Sequence, residues 1–232
     1  TFLMEKAAIP LLILLLLITP FAPFNYANGM GEPSDVQTLV VRIPLSECEI
    51  LEKDGVAEVK MDGFGSLMEP GYPILPSKVE LIAIPPNAHV KNISYTSRIV
   101  VKEGICVRRA PPIITLNGEI VREVSSPSQG IYPKRVVRLI EETFFRAYKV
   151  AMVRVCPVQY DLAKEKLIIH EDLRVIVRYE VDLGLKLNYR PRWTVFDVLA
   201  KELIVNWEEA VARDWRAIPV GSGRLSSNTY DY

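Results

Sequence analysis

Between Gly63 and Pro76 the chain carries Pro70, Pro73 and Pro76 together with Gly63, Gly65 and Gly71. The apolar stretch Lys78–Ile84 runs on from there into Pro85-Pro86. Proline holds φ near about −65° and donates no backbone hydrogen bond, so this segment is excluded from helix and from central sheet. It has to lie extended along a surface or a sheet edge, as a stiff approach to the strand that follows it.

Strand periodicity dominates what surrounds it. Asp172–Val181 places Leu173, Val175, Val177, Tyr179 and Val181 on one face and Arg174, Arg178 and Glu180 on the other. Gln37–Ile43 alternates through Leu39, Val41 and Ile43, and Val56–Met61 turns Ala57, Val59 and Met61 inward. Val79, Leu81 and Ala83 form a further inward set. Lys149–Cys156 is apolar on both faces except at Arg154, the pattern of a central strand. Shorter strands are predicted at Lys91–Tyr95, Arg98–Lys102, Ile113–Leu116, Val136–Ile140 and Lys166–Ile169. Lys53-Asp54-Gly55 is a hairpin turn between Cys48–Glu52 and Val56–Met61, and Asn117-Gly118 marks another turn. Many short strands without helical spacing between them predict a mainly β fold, an antiparallel β-sandwich over residues 35–182.

Past Arg190-Pro191 the spacing changes. Thr194 can cap a helix, and Phe196, Leu199 and Leu203 fall on one helical face. Trp207, Val211 and Trp215 continue at four-residue spacing, so residues 190–216 form a short helical segment, either one helix or two short ones broken near Asn206. Residues 217–229, rich in Gly and Ser, read as a linker, and 230–232 as the beginning of another domain. At the other end, Lys6 precedes the apolar run Ala7–Ile18, and Pro20, Pro23 and Asn25 follow. That order describes a secretory signal peptide over residues 1–27 and places the protein outside the cytoplasm. Read on to Phe24 the run approaches the roughly 20 residues of a membrane anchor, but three prolines interrupt it. Apart from this segment nothing points to a membrane.

Charge excludes one class of partner. Lys and Arg number 28, Asp and Glu 28, and the basic residues are scattered, so no nucleic-acid footprint exists. Cys48, Cys106 and Cys156 all sit beside apolar neighbours and read as buried small hydrophobes. One disulfide among them is open to an exported protein, with no pair selected by the sequence. Asn92-Ile93-Ser94 is a glycosylation sequon. The two histidines, His89 and His170, offer only the dyads Cys106–His89 and Cys156–His170. Those cysteines lie in apolar strands, not on electropositive turns, so no catalytic residue is assigned. His170-Glu171-Asp172 is the one compact ligand run and reads as a solvated turn, so neither a metal nor a cofactor is assigned.

Several of these segments together resemble the N-terminal propeptides of gingipain-type secreted cysteine peptidases. They are Gly71-Tyr72-Pro73-Ile74-Leu75-Pro76 leading to a strand and Ile84-Pro85-Pro86-Asn87-Ala88, then Tyr132-Pro133 opening a strand at mid-domain. After these come the strand through Val153-Arg154-Val155-Cys156-Pro157 ending at Tyr160, the hairpin Lys166–Val181, and Tyr230-Asp231-Tyr232 behind the linker. The resemblance spans roughly residues 35–232. It implies a jelly-roll-like pro-domain that chaperones and inhibits a downstream caspase-like catalytic domain, its partner in cis or in trans. The family's His-Gly and Cys motifs belong to that domain and are not matched here, since His89 precedes Val90 and His170 precedes Glu171. The resemblance also implies a basic side chain that fills the peptidase's specificity pocket. Two loops offer one, Arg108-Arg109 and Lys134-Arg135. Arg216 and Arg224, flanking the linker, are the candidate maturation points. The alternative is a free-standing secreted β-sandwich that binds a surface partner or glycan through Tyr132, Tyr148 and Tyr160.

Overall fold

The structure, a computed structural model, describes residues 36–111, 127–189 and 195–220. Its elements begin with β1 (Val36–Arg42), β2 (Cys48–Lys53), β3 (Val56–Met61), β4 (Gly65–Leu67), β5 (Leu75–Ala83) and β6 (Ala88–Glu103). Then come β7 (Ile131–Tyr132), β8 (Val137–Phe145), β9 (Tyr148–Val155), β10 (Val158–Asp161), β11 (Lys166–Val181) and β12 (Leu187–Tyr189). Two short helices, α1 (Val195–Leu203) and α2 (Trp207–Ala212), precede β13 (Ala217–Pro219).

The predicted mainly β architecture is what the chain adopts. One sheet runs β1-β11-β10-β7 with β6 also on β11, and a second runs β4-β5-β9-β8. Each ladder between these strands is antiparallel. Leu39 and Val41 of β1 and Leu173, Val175 and Val177 of β11 are buried in one cluster with Ile82, Val150, Val153 and Val155 of the other sheet. Each such side chain contributes about 1.5–3 kcal/mol on leaving water, before the cost of ordering the chain. β9 lies between β5 and β8, the central position its two apolar faces predict. The β2–β3 hairpin turns on Asp54 and Gly55 at φ 55° and 76°, the two positive values that a two-residue turn of this hand requires.

Four expectations are corrected. Lys166–Ile169 and Asp172–Val181 are one strand, β11, and not a hairpin. Asp172, at φ 47°, occupies a bulge where β11 shifts register against β6. The two short strands predicted between Lys91 and Lys102 likewise merge into β6. In β5, Val79 is exposed while Glu80 and Ile82 are buried. Glu80 tolerates burial because Lys78 Nζ lies 3.0 Å from its carboxylate. On α1 the covered positions are Asp197 and Ala200, with Ile204 just beyond its end, leaving Leu199 and Leu203 about half exposed.

The helical segment joins the main core through Ala200, Ile204, Ala210 and Trp215. Of the two arrangements open to it, the segment adopts two helices, and the break at Asn206 has a specific cause. The Asn206 side chain accepts from Ala83 N at 2.8 Å and donates to Ala83 O at 3.0 Å, while Val205 N donates to Leu81 O. The chain between the helices is thereby fastened to β5 as a further strand would be. Residues 217–219 are not linker: they pair with β12, and Ala217 is fully buried. The segments 1–27 and 221–232, with Asn117-Gly118, Ile113–Leu116 and Thr194, lie outside the described residues.

Candidate functional site

A second, smaller hydrophobic cluster gathers Val59 and Met61 of β3, Leu75 of β5, Ile105 and Val107, Tyr132 of β7 and Tyr160 of β10. Both basic candidate loops border this end. Ile105 and Val107 face inward and Cys106 and Arg108 outward, the alternation of a strand. Its backbone is fastened from both sides. Ala57 N donates to Cys106 O and Arg108 N to Ala57 O, while on the other flank Ile74 N donates to Arg108 O and Ala110 N to Tyr72 O. The proline-rich approach is thus the neighbour that holds Arg108, with Pro73 opposite Arg109.

The two arginines are used differently. Arg109 Nη1 donates to Gly71 O at 3.1 Å and to Pro127 O at 2.9 Å, so its guanidinium closes the protein's own loops. Arg108 has an exposed side chain on the same rigid backbone. Lys134 and Arg135 are also exposed, at the bend after the cis Tyr132-Pro133 bond, but they line a cleft of about 910 Å³. Arg138 and Arg154, which sequence reasoning left unassigned, line the same cleft together with Glu69, Tyr72, Tyr132 and Cys156. Arg154 was visible as a charge inside the apolar run of β9, but its partner Arg138 emerges only from the β8–β9 register.

Other candidates fall elsewhere. Asn92 is exposed on β6, opposite Arg178 of β11. Arg216, expected at an exposed maturation point, is buried, and its Nη1 donates to Asp197 Oδ2 at 2.5 Å. Ala217 needs that seat in the core, which draws Arg216 inward against a carboxylate. Arg224 lies outside the described residues. Tyr132, Tyr148 and Tyr160 are buried, not surface-forming; the Tyr160 hydroxyl donates to Ile105 O at 2.8 Å. Burial, reinforced by the nearby charge of Glu69, pushes the Tyr132 phenol far up.

Neither proposed dyad assembles. His170 is buried in mid-strand, its Nδ1 2.8 Å from Ser97 Oγ and its Nε2 2.9 Å from Gln159 Oε1. Desolvation lowers its pKa. The Cys156 thiol is directed at Ser77 Oγ, 3.5 Å away, and burial raises its pKa, the reverse of nucleophile activation. His89 lies 3.7 Å from Glu142. The three cysteines are free; Cys156 is buried and Cys48 half-buried, but Cys106 is exposed, on the outward side of its strand. Among the described residues no three His, Cys, Asp or Glu side chains are grouped to hold a metal, and no helix is long and apolar enough to cross a membrane.

No curated protein matches this chain. Among solved structures it is similar to the complex of the pro- and mature domains of Porphyromonas gingivalis RgpB. That match has 16% identity and a TM-score of 0.53, and it covers 77% of this chain and 95% of that one. A structure concerned with the zymogenic latency of gingipain K from the same organism is similar at 18% identity. It covers 65% of this chain and 96% of that one, with a TM-score of 0.44. At such identities the likeness speaks for the fold alone. The family model Propeptide_C25 matches residues 35–214, most of the β-sandwich and both helices. The chain therefore belongs to the Propeptide_C25 family, the non-catalytic propeptides of gingipain-type cysteine peptidase precursors.

Proposed function

We propose that the sandwich acts on the downstream catalytic domain as intramolecular chaperone and inhibitor, in cis before maturation and in trans once released. The observation that carries the choice of contact is Arg108. An inhibitory side chain has to project outward from backbone that does not yield when the partner pulls on it. Arg108 meets both conditions, being exposed and hydrogen-bonded through its own N–H and C=O. Arg109 is committed to Gly71 and Pro127, and Lys134 and Arg135 border a concavity, so they are weaker candidates for insertion. A guanidinium desolvated against a carboxylate in a specificity pocket carries an interaction that typically costs about 2–5 kcal/mol to truncate.

Residues 1–27 fit this role as the signal for export, and Arg224 replaces Arg216 as the preferred maturation point. Cleavage after Arg216 would require the Asp197 pair and the β12–β13 ladder to open first. The test is titration of the purified chain against the cognate mature peptidase. The intact chain should inhibit at or below micromolar concentration, and Arg108→Ala should weaken inhibition at least about tenfold, or 1.4 kcal/mol. Full inhibition by Arg108→Ala together with loss in Lys134→Ala/Arg135→Ala would move the contact to the other loop. No inhibition by the intact chain would end the inhibitory reading.

A further inference from the structure

The cleft beside β7 has a charge pattern that the fold does not account for. Arg138 of β8 and Arg154 of β9 stand directly opposite each other in the ladder. Like charges at such a cross-strand position repel and weaken the sheet that carries them. Lys134 and Arg135 add two more positive charges to the rim, against the single carboxylate of Glu69. Several cations elsewhere are answered: Arg42 by Asp172, Arg98 by Glu171, Lys91 by Glu180, Lys149 by Glu142 and Arg216 by Asp197. Among the described residues none of the four at the cleft makes an ion pair.

The floor is of another kind. Tyr72 and Tyr132 stack with ring centroids 4.4 Å apart, and Leu67 and Leu162 continue the apolar lining. The volume, about 910 Å³, is at the upper end of the about 300–1,000 Å³ typical of ligand clefts. A basic rim over an aromatic and aliphatic floor selects a ligand that is anionic and partly apolar. A free phosphate would use only the rim. A long polyanion needs a basic stripe, and with 28 acidic residues balancing 28 basic ones, many already paired, the chain has none.

We propose that this cleft binds a short acidic peptide segment. Its carboxylates are taken by the Arg138 and Arg154 guanidinium forks, with Lys134 and Arg135 at the mouth, and an apolar side chain lies on the Tyr72–Tyr132 stack. Paired guanidinium groups are suited to bidentate capture of a carboxylate, and the ligand's charge relieves the repulsion between them. The site is distinct from the outward-facing Arg108. It does not depend on the peptidase being the source of the segment.

The probe is a fluorescent hexapeptide of Glu, Asp and Leu, compared by anisotropy with its Gln/Asn isostere on the full chain. Saturable binding at least about tenfold tighter than the isostere, weakened by raising salt from about 50 to 300 mM, is expected. Arg138→Gln/Arg154→Gln should lose at least about tenfold in affinity without losing thermal stability, since it removes a like-charge pair. Glu69→Gln should bind the acidic peptide more tightly. Equal affinity for the two peptides, no saturation by about 1 mM, or unchanged binding in either variant would overturn the proposal. Competition by inorganic phosphate as strong as by the peptide would reduce the site to an anion site and overturn it too. So would retention of heparin in place of the peptide. Peptide binding without inhibition of the peptidase would leave this inference standing and remove the other.

Discussion

The two hydrophobic clusters of the sandwich are built differently. The larger is filled by aliphatic side chains from β1, β5, β9 and β11 and by the helical segment. The smaller relies on hairpins, irregular bridges and aromatic side chains, with the Tyr160 hydroxyl tied to Ile105 O. All four basic candidates and the cleft border the smaller one. Stability is concentrated where nothing else is asked of the surface, and the recognition surface is shaped where packing is assisted by polar tethers. A truncation in each end tests that division. Leu173→Ala, at a fully buried position of the large cluster, should cost about 3–4 kcal/mol in urea unfolding. Tyr160→Phe should cost only about 1 kcal/mol, the net worth of one hydrogen bond plus a stranded carbonyl. Similar costs for the two would erase the distinction.

The helical segment extends the large cluster, and its fastening is polar at two points. Asp197→Ala leaves the Arg216 guanidinium in a buried site without its carboxylate and should destabilise by about 3 kcal/mol. Asn206→Ala removes both hydrogen bonds to Ala83 and should cost about 2 kcal/mol. If hydrogen exchange showed either variant releasing residues 195–220 while the sandwich stayed protected, the segment would be an appendage and not part of the core.

Legibility in the sequence follows the same line. Leu39, Val41, Leu173, Val175 and Val177 were readable because a half-buried strand enforces period two. The turn at Asp54-Gly55 was readable from turn chemistry, whereas helical spacing allowed a break at Asn206 without requiring it, because the hydrogen bonds to Ala83 that fix it lie far off in sequence. Glu80 was misassigned because one ion pair to Lys78 reverses the ordinary rule that a carboxylate faces water. His170 was assigned to a turn because Glu171 and Asp172 follow it, and a bulge lets the strand continue through them. The linker that follows Arg216 predicts exposure, whereas Asp197, nineteen positions earlier, compensates its burial. Arg138 and Arg154 meet only through register. In each miss the deciding partner is distant in sequence or sits where a local rule is broken.

The smallest effect in this comparison is one of pH, and it belongs to the functional end. His170 bridges Ser97 of β6 and Gln159 of β10, and Gln159 Nε2 in turn donates to Pro133 O at 2.7 Å, next to Lys134. Desolvation lowers the folded-state pKa of His170 below its ordinary 6.5. Between the folded and unfolded values the unfolded chain binds the extra proton, so stability rises with pH through that window. The contribution is complete above about 6.5 and is lost as pH falls through the folded pKa. Glu103, held below its usual 4.5 by Lys166, keeps its charge over the same range and does not mimic the effect. Thermal midpoints should therefore fall from pH 7.5 to 5.5 in the intact chain and fall less in His170→Gln, which retains polar contacts but does not titrate. Exchange protection at the Lys134 and Arg135 amides should drop before that of β11. An identical pH dependence in the variant would place the acid sensitivity elsewhere and remove His170 as the link between core and cleft.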